Sequence, residues 1–240
     1  MKRIAGVRKG IGLPALFLMA IAVLCLTAAA PENGNQAPFS ETKIYFEYNS
    51  TANDLGVHVF LDAEDWKTLR ILNPNGRTIF NVQGGGGFRQ LGMTELFFEG
   101  AEPALDEFPL DELLALFPEG EYRFNGTTVD GAELEGTATF THAVPDGPKV
   151  SAVVRPDHTL VIRWRPVTGP AGILPDEDIE IAGYQVIVEE FQVTLPETAT
   201  RVTVPPEYVA SLGPGEHDFE VLAIEEGGNQ TITEGSFTIP

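Results

Sequence analysis

Apolar residues recur at every second position in short runs along most of the chain, which is the period of a β-strand. Thr42-Lys-Ile-Tyr-Phe-Glu-Tyr48 alternates in this way, and Gly56-Val-His-Val-Phe-Leu61 follows after a turn at Asn49-Ser-Thr-Ala-Asn-Asp54. Asp62, Glu64, Asp65 and Trp66 then fall near a further turn. Lys67-Thr-Leu-Arg-Ile-Leu72 and Arg77-Thr-Ile-Phe-Asn-Val82 flank Asn73-Pro-Asn-Gly76, which predicts a hairpin, because Asn-Gly adopts positive φ at low steric cost. Thr94–Phe98, Glu121–Phe124 and Glu133–Phe140 read as strands, and the glycine run Gly84–Gly87 reads as a loop. One stretch has a different period. Leu110, Leu113, Leu114 and Phe117 recur at i, i+3, i+4 and i+7, which predicts a short helix ended by Pro118.

The alternation returns in His158-Thr-Leu-Val-Ile-Arg-Trp164, Ala182-Gly-Tyr-Gln-Val-Ile-Val188 and His217-Asp-Phe-Glu-Val-Leu-Ala223, separated by loops rich in Pro, Gly, Asp and Glu. With Trp164 in the first of these runs and Tyr184 in the next, the stretch from Pro148 to Pro240 resembles a fibronectin type III domain. The resemblance implies that Trp164 is the core tryptophan of the second strand and Tyr184 the tyrosine of the third, with Phe219 in the core of the sixth. Leu212-Gly-Pro-Gly-Glu-His217 resembles the turn before that sixth strand, where the family carries a tyrosine that ties the corner and this chain carries His217. Gly120-Glu-Tyr122 resembles the same corner in immunoglobulin-like sandwiches, with Tyr122 as a core residue, so the first half reads as a divergent β-sandwich of no named family. The expected fold is therefore all-β, two tandem β-sandwiches over 41–145 and 146–240, with one short helix in the first. Val144-Pro-Asp-Gly-Pro148 links them, and its two prolines make it short and stiff with little apolar surface.

The N-terminus changes the picture of where the protein works. Lys2, Arg3, Arg8 and Lys9 precede an apolar stretch, Ile11–Leu26, and the small residues Thr27–Ala30. This is the pattern of a cleaved signal peptide over 1–29, followed by a flexible leader over 30–40. The apolar stretch is short for a membrane span. A signal anchor and a lipid anchor on Cys25 are the alternatives. The expected location is secreted or periplasmic, with no span in the mature chain. Cleavage would remove Cys25, the only cysteine, and with it any disulfide, thiolate or cysteine metal site. It would also remove four bases. The remaining 11 of 15 against 35 acidic residues leave about −24, where the whole chain carries −20. Such a surface repels nucleic acid. Its simplest meaning is solubility outside the cell; the sharper one is cation binding.

Candidate chemistry is sparse. His58, His142, His158 and His217 are scattered singly, none in an i, i+4 pair, and each reads as structural. No Gly-x-Ser-x-Gly elbow or P-loop occurs, and neither does Arg-Gly-Asp, the integrin motif of some fibronectin type III domains. Glu47, Asn49, Asn53 and Asp54 lie near Asp62, Glu64 and Asp65, and two neighbouring loop ends would let Glu47, Asp54, Asp62 and Asp65 converge on Ca²⁺. Ordinary turn chemistry accounts for the same residues. Asp176-Glu-Asp-Ile-Glu180 reads as a solvated acidic loop. The aromatics Phe97, Phe98, Phe117, Tyr122 and Phe124 read as core, with a sugar-stacking platform built on Trp66 as the alternative. Asn49-Ser-Thr, Asn125-Gly-Thr and Asn229-Gln-Thr fit the glycosylation sequon. The expected function is that of an exported, non-catalytic structural or interaction module with a protein or cell-surface glycan partner. No catalytic residue is expected, and no cofactor other than Ca²⁺ in the cation-binding reading. A calcium- or glycan-binding protein and a hydrolase with a carboxylate site are the alternatives.

Overall fold

The computed structural model describes residues 36–174 and 178–240. The stretch read as a signal peptide, the first part of the leader, and Asp176 and Glu177 of the acidic loop lie outside the described residues. The first half contains β1 (Gln36–Pro38), β2 (Glu41–Asn49), β3 (Asp54–Leu72), β4 (Thr78–Gln83), α1 (Gly86–Leu91), β5 (Met93–Glu99), α2 (Leu110–Leu116), β6 (Gly120–Thr128) and β7 (Glu133–Phe140). The second contains β8 (Val150–Val154), β9 (Leu160–Trp164), β10 (Ile181–Val188), β11 (Phe191–Pro196), β12 (Arg201–Val204), α3 (Pro206–Leu212), β13 (Gly215–Glu225) and β14 (Gln230–Ile239).

β3 is the spine of the first sandwich. Its Asp54–Asp62 portion lies between β2 and β5, and its Trp66–Leu72 portion lies between β4 and β6. The register shifts between Asp62 and Trp66, where the strand's neighbours change from β2 and β5 to β4 and β6. A bulge bends a strand in this way. The turn expected near Asp62–Trp66 is therefore a bend within one 19-residue strand. Inward residues of both portions, Val57, Val59 and Leu61 with Trp66, Leu69 and Ile71, enter one core with Ile44, Phe46, Tyr122, Phe124 and Leu134. Trp66 is 1% exposed, so it cannot offer a sugar-stacking face. Of the aromatics expected in the core, Tyr122 and Phe124 are fully buried, Phe98 and Phe117 are partly buried, and Phe97 is 54% exposed on edge strand β5.

The predicted hairpin is present, with Ile71 opposite Phe80 and Leu69 opposite Val82, and the predicted helix is α2. Two expectations need correction. The glycine run is a loop only at Gly84 and Gly85, because α1 starts at Gly86, whose φ of 53° only glycine adopts freely. The leader is ordered from Gln36. There β1 pairs in parallel with β7, and Phe39 packs edge-on against Phe124 at 6.2 Å.

The second half is a three-on-four sandwich. β12-β9-β8 form one sheet, and β11, β10, β13 and β14 are neighbours in the other. Trp164 lies on the second strand of this half and Tyr184 on the third. They pack at 5.4 Å in a core that includes Leu160, Ile162, Val186, Val188, Phe219 and Val221. This is the fibronectin type III-like arrangement. Tyr122 and His217 carry the same corner bond. The Tyr122 hydroxyl donates to Pro118 O at 3.0 Å, and His217 Nε2–H donates to Gly213 O at 3.1 Å, each four residues back. An imidazole N–H thus does the work of the family's phenol, and its Nδ1 lies 3.5 Å from Glu189.

The sandwiches meet along a polar seam. β14 pairs in parallel with β2, Gln230 opposite Glu47 and Ile232 opposite Asn49. Asn229, 2% exposed, accepts the Phe46 N–H at 2.8 Å and donates to Thr141 O, Thr141 Oγ1 and Ala143 O. Its sequon is therefore closed to glycosylation in the folded chain. Thr231 Oγ1 donates to Pro145 O at 2.5 Å, and Ser50 N–H to Ile232 O at 2.9 Å. Within the link, expected to carry little apolar surface, Val144 is fully buried. Ala171 and Leu174, from the second half, complete the core of the first.

Candidate functional site

Strand alternation builds a second, outward face on the sheet of β2, β3 and β5. Tyr45 and Glu47 of β2, Gly56 and His58 of β3, and Phe97 and Glu99 of β5 share it. His58 should be exposed there, yet it is 4% exposed. Tyr45 and Phe97 cover its ring from the two sides, with centroids at 5.3 and 5.7 Å. The chain after β5 closes the remaining side. Gly100 N–H bonds Val57 O and Leu105 N–H bonds Asn53 O, so this segment runs beside β3 and lays Glu102 across Gly56. A Cβ at position 56 would stand 2.4 Å from Glu102 Cγ, so only glycine leaves room for that carboxylate.

The result is one imidazole among three carboxylates. His58 Nε2 is 3.0 Å from Glu102 Oε1, 3.8 Å from Glu47 Oε1 and 3.9 Å from Glu99 Oε2. Donor atoms of Glu47, His58 and Glu102 lie within 4.8 Å of one another. The second oxygen of Glu47 accepts a hydrogen bond from the Gln230 amide, which ties the cluster to the seam. Burial pushes the Glu47 carboxyl above its ordinary range, and His58 and the Gln230 bond oppose that rise. Burial, with Glu47 and Glu99 alongside, pushes the Tyr45 phenol up to about 12. Among the described residues, the only ion pair made by a lysine or arginine is Lys43 with Glu41.

Of the four acids expected to converge, Glu47 alone enters this cluster. Asp54 and Asp62 sit on one extended strand, roughly 26 Å of chain apart. Asp54 bridges toward Ala104, Asp62 lies opposite Glu41 and Glu95, and Asp65 sits past the bend, where its Cβ backs onto Gly92. The sequence reading missed His58 and Glu102. His58 alternates with Val57 and Val59, a signal that places it off the core face, but nothing local shows that a later segment covers it.

No family model matches the chain, and no curated protein does either. Solved structures that resemble it include a two-domain fibronectin type III segment of chicken tenascin, at 12% identity and a TM-score of 0.30, covering 84% of this chain and 99% of that one. The fibronectin(III)-like modules of Clostridium thermocellum CbhA match at 11% identity and 0.29, covering 82% and 90%. The Clostridium perfringens spore cortex lytic enzyme SleM matches at 16% identity and 0.32 over 40% of this chain, which spans 28% of that enzyme. The fold assignment rests on the strand order and cores described above.

Proposed function

We propose that the chain is an exported, non-catalytic spacer or interaction module, in which two β-sandwiches, 41–145 and 146–240, are held in one fixed relation. The observation that supports this is the seam at Asn229. A side chain from the second half is buried against three backbone groups and a hydroxyl of the first, next to the β2–β14 pairing. Buried groups of this kind are satisfied in one arrangement only, so hinge motion would leave them unpaired. Export is supported by the basic and apolar residues at the start of the sequence. A protein or cell-surface glycan would be met on loops and on free strand edges such as β11, which ends the strand order of its sheet. No helix among the described residues is long and apolar enough to cross a membrane.

Spin labels test the fixed relation. Cys25 is the only cysteine, so Cys25→Ser with Asn75→Cys and Glu197→Cys carries one label on each half, both at exposed positions. Pulsed electron–electron resonance should return a single narrow distance, and Asn229→Ala should broaden it. A broad distribution in the Asn229 protein would overturn the proposal.

A further inference from the structure

We propose that Glu47, His58 and Glu102, with Glu99 as the fourth donor, form a binding site for one divalent transition-metal ion of the zinc class. The geometry is close to what such an ion requires. Zinc bonds to nitrogen and oxygen are about 2.0–2.1 Å long, and tetrahedral angles then put donor atoms roughly 3.4 Å apart. The separations from His58 Nε2, 3.0, 3.8 and 3.9 Å, lie on both sides of that value. Donor atoms of Glu47, His58 and Glu102 already lie within 4.8 Å of one another, and the set closes as the carboxylates draw in around the ion, Glu99 moving furthest. Glu99 is 59% exposed and has the freedom to move inward.

The surroundings favour an ion as well. The His58 ring is fixed between Tyr45 and Phe97, so Nε2 stays aimed at the carboxylates. The Gln230 amide holds one Glu47 oxygen and leaves the other facing His58, which is how an outer hydrogen bond orients a metal ligand. Even a protonated imidazole supplies one positive charge against three carboxylates, and burial, then the nearby Glu102, raises the Asp54 carboxyl as well. A dication neutralises that excess. The imidazole selects the ion. Calcium takes six to eight oxygens and magnesium keeps much of its water, whereas one nitrogen with three carboxylate oxygens suits zinc and its neighbours. Four protein donors would leave no open position, as in a structural metal site. Bound metal would fasten the segment after β5 onto β2 and β3.

The test uses the whole chain freed of metal with a chelator and titrated with Zn²⁺, Mn²⁺, Ca²⁺ and Mg²⁺, with NaCl at matched ionic strength. Calorimetry should find one Zn²⁺ per chain and a rise in melting temperature that Ca²⁺, Mg²⁺ and NaCl do not reproduce. Co²⁺ should give the intense visible bands of a tetrahedral site. Glu102→Gln should weaken Zn²⁺ binding at least tenfold while leaving the metal-free melting temperature near that of the parent, because the amide oxygen can still accept a hydrogen bond from His58. His58→Gln should abolish binding. His158, the exposed histidine, is the control for adventitious binding, and His158→Gln should bind as the parent does. Equal shifts in all salts, or unchanged Zn²⁺ affinity in Glu102→Gln, would overturn the proposal. So would loss of binding in His158→Gln.

Discussion

Replacing Asn229 by alanine removes the seam's central side chain without touching either sandwich core. The Phe46 N–H, 2.8 Å from Asn229 Oδ1, would lose its acceptor in a buried position. A buried donor left unpaired costs about 1–3 kcal/mol. The Nδ2 bonds to Thr141 and Ala143, at 3.1–3.2 Å, would go too, each worth roughly 0.5–1.5 kcal/mol net. Together these put the loss at about 2.5–7.5 kcal/mol, which in a folded chain of this size lowers the melting temperature by roughly 5–30 °C. Asn229→Asp should be worse than alanine. It keeps the acceptor for Phe46 but turns a charged oxygen toward two carbonyls, and an uncompensated buried charge costs about 3–5 kcal/mol.

The two tryptophans make the assay specific, because Trp66 is buried in the first core and Trp164 in the second. With Trp66→Phe or Trp164→Phe as the background, urea unfolding followed by fluorescence reports one half at a time. In the Asn229 protein the two curves should coincide, because the seam couples the halves. In Asn229→Ala they should separate. A change below about 0.5 kcal/mol, with the two curves still coincident, would show that the Asn229 side chain contributes nothing to coupling the halves, and curves already separate in the parent would show that the halves unfold on their own.

Three further outcomes are expected. Trp164→Ala should cost about 3–5 kcal/mol in denaturant unfolding, and Trp164→Phe distinctly less, because the indole Nε1 has no hydrogen-bond partner to lose. His217→Tyr should melt near the parent and His217→Ala about 1 kcal/mol below it, since Tyr122 shows that a phenol makes the same corner bond. Burial, and then neighbouring acids that include Glu234, raise Glu220 and Asp54 in the folded state. The folded chain therefore holds more protons than the unfolded one just above the ordinary carboxylate range, so thermal stability should decline as pH rises through that window and then level off. Below it the trend reverses, as Asp130 and Asp157, lowered by hydrogen bonds, take up protons. Glu234→Gln should flatten the decline in a melting series from about pH 4.5 to 7.5.

The elements legible in the sequence were those fixed by short-range pattern. Leu160, Ile162 and Trp164, then Tyr184, Val186 and Val188, then Phe219, Val221 and Ala223 recur at period two, and all of them lie in one core. Asn73–Gly76 announces its hairpin through local turn chemistry, and α2 its helix through spacing. What remained hidden depends on partners far along the chain. The Asp and Glu residues near Asp62–Trp66 look like a turn, but pairing with β5 on one side and β6 on the other holds them in a single strand. Asn229 reads as a surface sequon until β14 finds β2, and that pairing leaves no trace in the sequence around Gln230. His58 resembles any strand histidine because Glu102, which faces it, comes from a segment 44 residues later.

The acidic chain holds its halves together with neutral donors. With 15 bases against 35 acids, ion pairs cannot serve every carboxylate, and at the seam they do not. Glu47 is met by the Gln230 amide and Glu234 by the Asn49 amide. Ser50, Thr51 and Thr231 add hydroxyl bonds to backbone groups across the seam. Neutral donors leave the carboxylate charge in place, so Glu234 still repels both Glu220 and Asp54. They also make the contact directional and nearly indifferent to salt, because screening weakens ion pairs far more than buried hydrogen bonds. The seam thus fixes geometry without cancelling charge. Carboxylate charge is left in place also where Glu47 turns its other oxygen toward His58, beside Glu99 and Glu102, and a dication bound there would offset it.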